Sequence, residues 1–128
     1  MSTRSTTHFT NGHEVIAIIY RHSDGYPDGA GADLLRFIEE TGKLSDSRHA
    51  DPSYLSAKYV VFLAREFARG SNPLDFCSVG VVSEDPGDIE YRYVVDCDKS
   101  PLSPQCFEVD VDNNKAKLVK WPAAKRAS

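Results

Sequence analysis

Two hydrophobic periods divide the chain. Val15-Ile16-Ala17-Ile18-Ile19-Tyr20 is an unbroken apolar run, the pattern of a strand covered on both faces. A Thr-rich segment precedes it across Asn11-Gly12, the favoured pair for a two-residue type I′ turn, so residues 3–9 and 14–22 are predicted to form a hairpin. That turn sets Thr10 opposite His13, Phe9 opposite Glu14, Thr7 opposite Ile16 and Ser5 opposite Ile18, with Ser2 and Thr3 beside Arg21 and Tyr20.

The period then becomes helical. Leu34, Leu35 and Ile38 share one side of a first helix and Arg36, Glu39 and Glu40 the other, with Gly42 as its stop. Residues 43–50 are polar and irregular. Asp51-Pro52 supplies a cap and a first-turn proline for a second helix, whose inner side is Leu55, Tyr59, Phe62, Leu63 and Phe67 and which ends at Gly70.

After Asn72-Pro73 the alternation is that of strands: 76–82, a turn through Glu84-Asp85-Pro86-Gly87-Asp88, and 89–96 as a second hairpin. A last hairpin turns at Asn113-Asn114. It sets Asp112 against Lys115 and Asp110 against Lys117 on one face, Val111 against Ala116 and Val109 against Leu118 on the other. The expectation is an α+β fold of order ββααββββ: an antiparallel sheet of about six strands with two helices packed on one face. Residues 1–122 form one domain and 123–128 a frayed tail.

The 128 residues carry 27% charged and 41% hydrophobic side chains, which suits one self-sufficient globular core. A net charge of -4 argues against holding nucleic acid by phosphate neutralisation, so no direct nucleic-acid contact is expected. No run is long enough to span a bilayer and the polar start lacks a signal peptide's apolar centre; a cytoplasmic location is expected. Cys77, Cys97 and Cys106 lack paired zinc spacing, and their odd number suits reduced thiols, with a Cys97–Cys106 bridge as the alternative. No cofactor or metal is expected.

Most constellations that imitate chemistry have plainer readings. Glu108, Asp110 and Asp112 fall on one strand face, but two of them acquire lysines across the hairpin and read as a solvated charge ladder. The calcium-loop spacing that begins at Asp110 fails at Lys115 and Trp121; the one that begins at Asp24 fails at Tyr26 and Leu35. Arg21-His22-Ser23-Asp24 has triad residue types without convergence, because neighbours on a strand point oppositely. Cys77 lacks any nucleophile motif, and Lys58, Arg65 and Arg69 read as a solvated helix face. No catalytic residue is assigned.

One segment resists a plain reading. Asp24-Gly25-Tyr26-Pro27-Asp28-Gly29-Ala30-Gly31 bends the chain just before a helix and offers backbone amides there. It lacks the Gly-Lys-Ser/Thr ending of a phosphate loop, and Asp24, Asp28 and Asp33 oppose bare phosphate. The expected hairpin brings Arg4 and Arg21 to this turn. The candidate binding corner is therefore Arg4, Arg21, His22, Asp24, Gly25, Tyr26, Asp28, Gly29 and Gly31. The alternative is that Arg4 or Arg21 pairs with Asp24 and merely locks the turn.

Thr3-Arg4-Ser5 and Tyr20-Arg21-His22-Ser23-Asp24-Gly25-Tyr26-Pro27-Asp28-Gly29-Ala30-Gly31 resemble a family of short uncharacterised proteins of bacteria and their phages. Its members begin Met-Gly-Thr-Arg-Ser and continue Tyr-Arg-x-x-Asp-Gly-Tyr-Pro-x-Gly-x-Gly; Ser2 departs from the glycine, and the likeness covers about the first third of the chain. The resemblance implies a phage or mobile-element setting, and no activity. The leading expectation is a non-enzymatic protein holding a small polar ligand, such as a nucleotide, at the turn. The alternative is a phage-encoded inhibitor of a host defence protein complex, of the anti-CRISPR kind, acting in the host cytoplasm. A hydrolase or transferase with His22 or Asp24 as general base ranks third.

Overall fold

The computed structural model describes residues 3–44, 51–67, 72, 74, 78–99, 101–110, 112 and 115–121. Strands β1 (Ser5–Thr10) and β2 (Val15–Arg21) lead through one π-helical turn (Pro27–Gly31) into helices α1 (Ala32–Thr41) and α2 (Pro52–Phe67). Strands β3 (Val79–Val82), β4 (Tyr91–Asp96), β5 (Gln105–Asp110) and β6 (Lys115–Val119) follow. The order along the chain is the expected ββααββββ, and the class is α+β. No helix among the described residues is long and apolar enough to cross a membrane.

The sheet is mixed, not purely antiparallel. Its order is β3-β2-β1-β4-β5-β6, and β1 runs parallel to β4. The expected hairpin between β3 and β4 does not form. Strand β3 takes the free edge of β2, β4 takes the far side of β1, and residues 83–90 cross between them. Burial gives the reason: in β1 the side chains of Ser5, Thr6, Thr7 and Phe9 are at most 4% exposed, so this strand needs a neighbour on each side to pair its backbone.

The register of the first hairpin differs too. Ser5 faces Arg21, Thr7 faces Ile19 and Phe9 faces Ala17, so paired residue numbers sum to 26 where the type I′ turn requires 23. Two of those three residues come from the connection, which is a four-residue loop. Asn11 N–H donates to the Glu14 carbonyl, and Asn11 Oδ1 accepts from the amides of His13 and Glu14 at 3.1 and 2.8 Å. The third is a bulge between Phe9 and Thr10. The shift replaces Glu14 with Ala17 beside the buried Phe9.

At the last hairpin the shift is two. Glu108 faces Lys117, Asp110 faces Lys115 and Val109 faces Ala116, so the charged ladder survives on one face with different partners. Asn113-Asn114, Gly70, Cys77 and the tail 123–128 lie outside the described residues. Cys97 and Cys106 are free thiols rather than a bridge, and burial pushes both up to about 11.

Phe9 meets Tyr59 of α2 at 5.8 Å between ring centroids, and Phe37 of α1 meets Tyr59 at 5.0 Å and Phe62 at 5.4 Å. Ile19, Ala30, Leu34, Leu55, Leu63, Tyr93, Val95 and Cys106 belong to the same core. The inner side of α1 is Leu34 and Phe37, with Ile38 only partly buried, while Phe67 of α2 is 38% exposed. A chain of alternating charges ties α1 to α2. Asp33 bonds Arg36 at 2.8 Å, Arg36 bonds Glu66 at 3.1 Å, Glu66 bonds Arg65 at 3.0 Å, and Arg65 grips Glu40 with two bonds of 2.7 Å. Arg65, read from sequence as solvated, is thus paired, and Arg69 lies outside the described residues.

Candidate functional site

The glycine-rich turn is wedged against the start of β1. Gly25 N–H donates to the Thr3 carbonyl at 2.8 Å, and the Gly25 carbonyl accepts the Tyr93 hydroxyl at 2.8 Å. A Cβ on Gly25 would lie 2.8–2.9 Å from Thr3 O, the Arg4 carbonyl carbon and Ser5 Cβ, so only glycine fits without a shift. Thr3-Arg4-Ser5 therefore does adjoin the turn, as the pairing of the first two strands suggests.

The turn is closed on itself. Asp24 sits at φ +57°, a left-handed conformation that few side chains adopt, and its carbonyl accepts from Ala30 N–H at 2.7 Å. Gly29 N–H and Gly31 N–H both donate to the Tyr26 carbonyl, at 2.9 and 3.4 Å. A Cβ on Gly29 would run into the Asp24 carbonyl oxygen, and one on Gly31 would come within 2.9 Å of Trp121 Nε1. Trp121 in turn stands edge-on to Tyr93 at 5.4 Å. The amides that might have cradled an anion already serve the protein's own carbonyls.

The two guanidinium groups do not converge. Arg21 is 9% exposed and lies on the Phe9 side of the sheet; its Nη1 donates to Asp33 Oδ2 at 2.8 Å and its Nε to the Ser23 carbonyl at 2.9 Å, with its Cζ 5.3 Å from the Phe67 ring centre. Arg4 lies on the opposite side, its Nη1 donating to Asp88 at 3.3 Å and its backbone N–H to Glu90 Oε1 at 2.7 Å. Neither is paired with Asp24. The register explains this, since opposed residues share a face and an odd shift exchanges faces. In the type I′ register Arg4 and Arg21 would have shared one.

What the corner presents outward is a set of side chains. His22, Asp24, Tyr26 and Asp28 are exposed. His22 Nδ1 bonds the Tyr20 hydroxyl at 3.0 Å, and the Tyr26 hydroxyl donates to Asp24 Oδ1 at 3.2 Å, which raises the Tyr26 phenol above its ordinary range. Both candidate general bases thus bond a neighbouring phenol. Among the described residues no group of three or more His, Cys, Asp or Glu could hold a metal ion.

Among the described residues, two shallow grooves lie elsewhere. One of about 210 Å³ runs between the helices beside Phe37, Leu44, Val61 and Phe62; the other, about 400 Å³, lies over the Glu108, Asp110, Lys115 and Lys117 ladder.

Sequence reasoning missed a second polar cluster, under residues 83–90. Asp85 Oδ2 accepts Arg92 Nε at 2.9 Å and Nη2 at 2.8 Å, and His8 Nε2 lies 3.3 Å from the same oxygen. Its only signal was the acidic Glu84-Asp85-Pro86-Gly87-Asp88 turn, which was read as a hairpin loop. Burial keeps His8 below its ordinary 6.5, outweighing the attraction of Asp85. The unfolded chain therefore binds the proton first, so stability is complete above about pH 6.5 and is lost as pH falls from there toward the folded value. Urea midpoints compared at about pH 7.5 and about pH 5.5 should show a smaller acid loss for His8→Gln than for the parent. An equal loss in both would show that other groups carry it.

No family model matches the chain, nor does any curated protein or solved structure.

Proposed function

We propose that this is a non-enzymatic binding protein of phage or mobile-element type whose recognition surface is the glycine-rich corner. One observation carries the reading: Asp24 is held at φ +57° while the turn's amides bond internally, so His22, Asp24, Tyr26 and Asp28 stand on a backbone with little freedom to rearrange. Preorganised polar and aromatic side chains suit recognition, because little conformational entropy is lost on binding. Outward-facing side chains favour a protein partner over a bare phosphate, since Gly25, Gly29, Ala30 and Gly31 have no amide left to give it. A host protein complex, inhibited by occlusion, fits this surface better than a nucleotide does. The first-third resemblance supports the setting.

Native mass spectrometry of the protein isolated from its host tests this. The parent should retain a stoichiometric protein partner, and Tyr26→Ala combined with Asp28→Lys should lose it. Both positions are exposed, so folding stability should move by no more than about 0.5 kcal/mol per site. A retained small molecule with no protein would restore the ligand reading; a partner kept by the double variant would move the interface elsewhere.

A further inference from the structure

Among the described residues, three buried side-chain atoms have no hydrogen-bond partner: Arg4 Nε, Thr6 Oγ1 and His8 Nε2. They sit at alternate positions of one extended segment, so all three face the same way, opposite to Phe9. Thr6 is fully buried and His8 is 9% exposed. Thr6 is flanked by Tyr20 and Arg92, and His8 by Ile18 and Val94. Orphaned buried donors are rare because they forfeit their hydration without return, and three on one strip point to a missing acceptor.

An acidic segment of the chain already lies over this strip. Asp85 engages Arg92 and makes only a long contact of 3.3 Å with His8, and Asp88 engages Arg4 Nη1 at 3.3 Å. These carboxylates satisfy the outer donors and leave the inner ones unmet. Ser83, Glu84, Pro86, Gly87 and Asp88 are exposed, Gly87 has open space around it at φ +86°, and Ile89 is fully buried as a fixed end. The middle of the crossover can therefore leave the sheet while its end stays anchored.

We propose that the strip Arg4, Thr6, His8 and Arg92 binds a small oxyanion, the phosphate or carboxylate group of a small molecule. The oxyanion takes the place of Asp85 against Arg92 and His8. Its further oxygens reach the hydroxyl of Thr6 and the Nε–H of Arg4. With Asp85 and Asp88 withdrawn the strip carries two guanidinium charges against Glu90, a field that favours an anion. The acidic crossover is an internal occupant that the ligand displaces. This site stands on the sheet face and does not depend on the corner's role.

The test is an NMR titration of the isotopically labelled full chain with inorganic phosphate in one arm and acetate in the other. Saturable shifts should gather at residues 4–8 and 84–93, and the arm saturating at lower concentration identifies the oxyanion. Thr6→Val exchanges an unpaired hydroxyl for a methyl of similar shape, so it should melt above the parent yet bind about tenfold more weakly. Asp85→Asn weakens the competing occupant and should tighten binding about tenfold. Should Asp85→Asn fail to fold, the Thr6→Val pair of readings still decides. Shifts absent from both arms, shifts confined to residues 22–28, or unchanged affinity in Thr6→Val would each overturn the proposal.

Discussion

Asp33→Ala is expected to cost about 3–5 kcal/mol of folding stability, read as a lower urea midpoint at neutral pH. The Asp33 and Arg21 side chains are 12% and 11% exposed, and their contact is 2.8 Å. Removing the carboxylate leaves the Arg21 guanidinium buried with the Ser23 carbonyl, the Tyr59 hydroxyl and the Phe67 ring beside it but no anion to neutralise it. Desolvation of that charge, rather than loss of one bond, dominates the cost. The same logic predicts recovery: replacing both partners together, Arg21→Met with Asp33→Leu, should restore at least half of the loss, because neither charge then remains. A loss under about 1 kcal/mol for Asp33→Ala would mean that water reaches the pair.

The charges further along the chain should behave differently. Arg65 and Glu40 form the tighter geometry, but both are about half exposed, where solvent screens the pair. Burial decides, and the shorter contact does not.

Gly29→Ala carries the second large effect, at about 3 kcal/mol, the upper end for overpacking. The added methyl meets the Asp24 carbonyl oxygen, which cannot step aside without losing the Ala30 amide and disturbing the left-handed Asp24. Gly80→Ala is the matched control, since nothing lies within 4 Å of a Cβ there and its φ is ordinary. It should be neutral or gain about 0.5 kcal/mol from a less free unfolded chain. If thermal melts show the two variants alike, the turn is not rigid, and the corner loses the property that recommends it for recognition.

How far the sequence reached differs by level. Gly42 marks the end of α1 and Asp51 caps α2, its Oδ1 accepting from Ser53 N–H at 3.0 Å, because caps and stops act within one turn of chain. An apolar run, the turn residues and the alternation after Asn72-Pro73 together placed six strands in their order along the chain. The corner of Thr3-Arg4-Ser5 against Gly25 was also legible, since any hairpin joining β1 to β2 returns the chain near its start. The cluster of His8, Asp85 and Arg92 was not, because its members come from β1, the crossover and β4, and no local pattern links them.

By itself, then, the sequence determined the kind and order of the elements, the end of α1, the start of α2 and the glycine-rich turn, all set by periodicity and dihedral preference over a few residues. Only the tertiary structure decided the parallel pairing of β1 with β4, the place of β3 beside β2, and the registers. Asn11 had two turns open to it, and a three-residue difference in pairing changes little locally but moves every side chain of β2 to the other face. Burial of Phe9 against Ala17 and Tyr59 accompanies the longer loop. That choice sent Arg21 inward to Asp33 and left Arg4 on the far face beneath the acidic crossover.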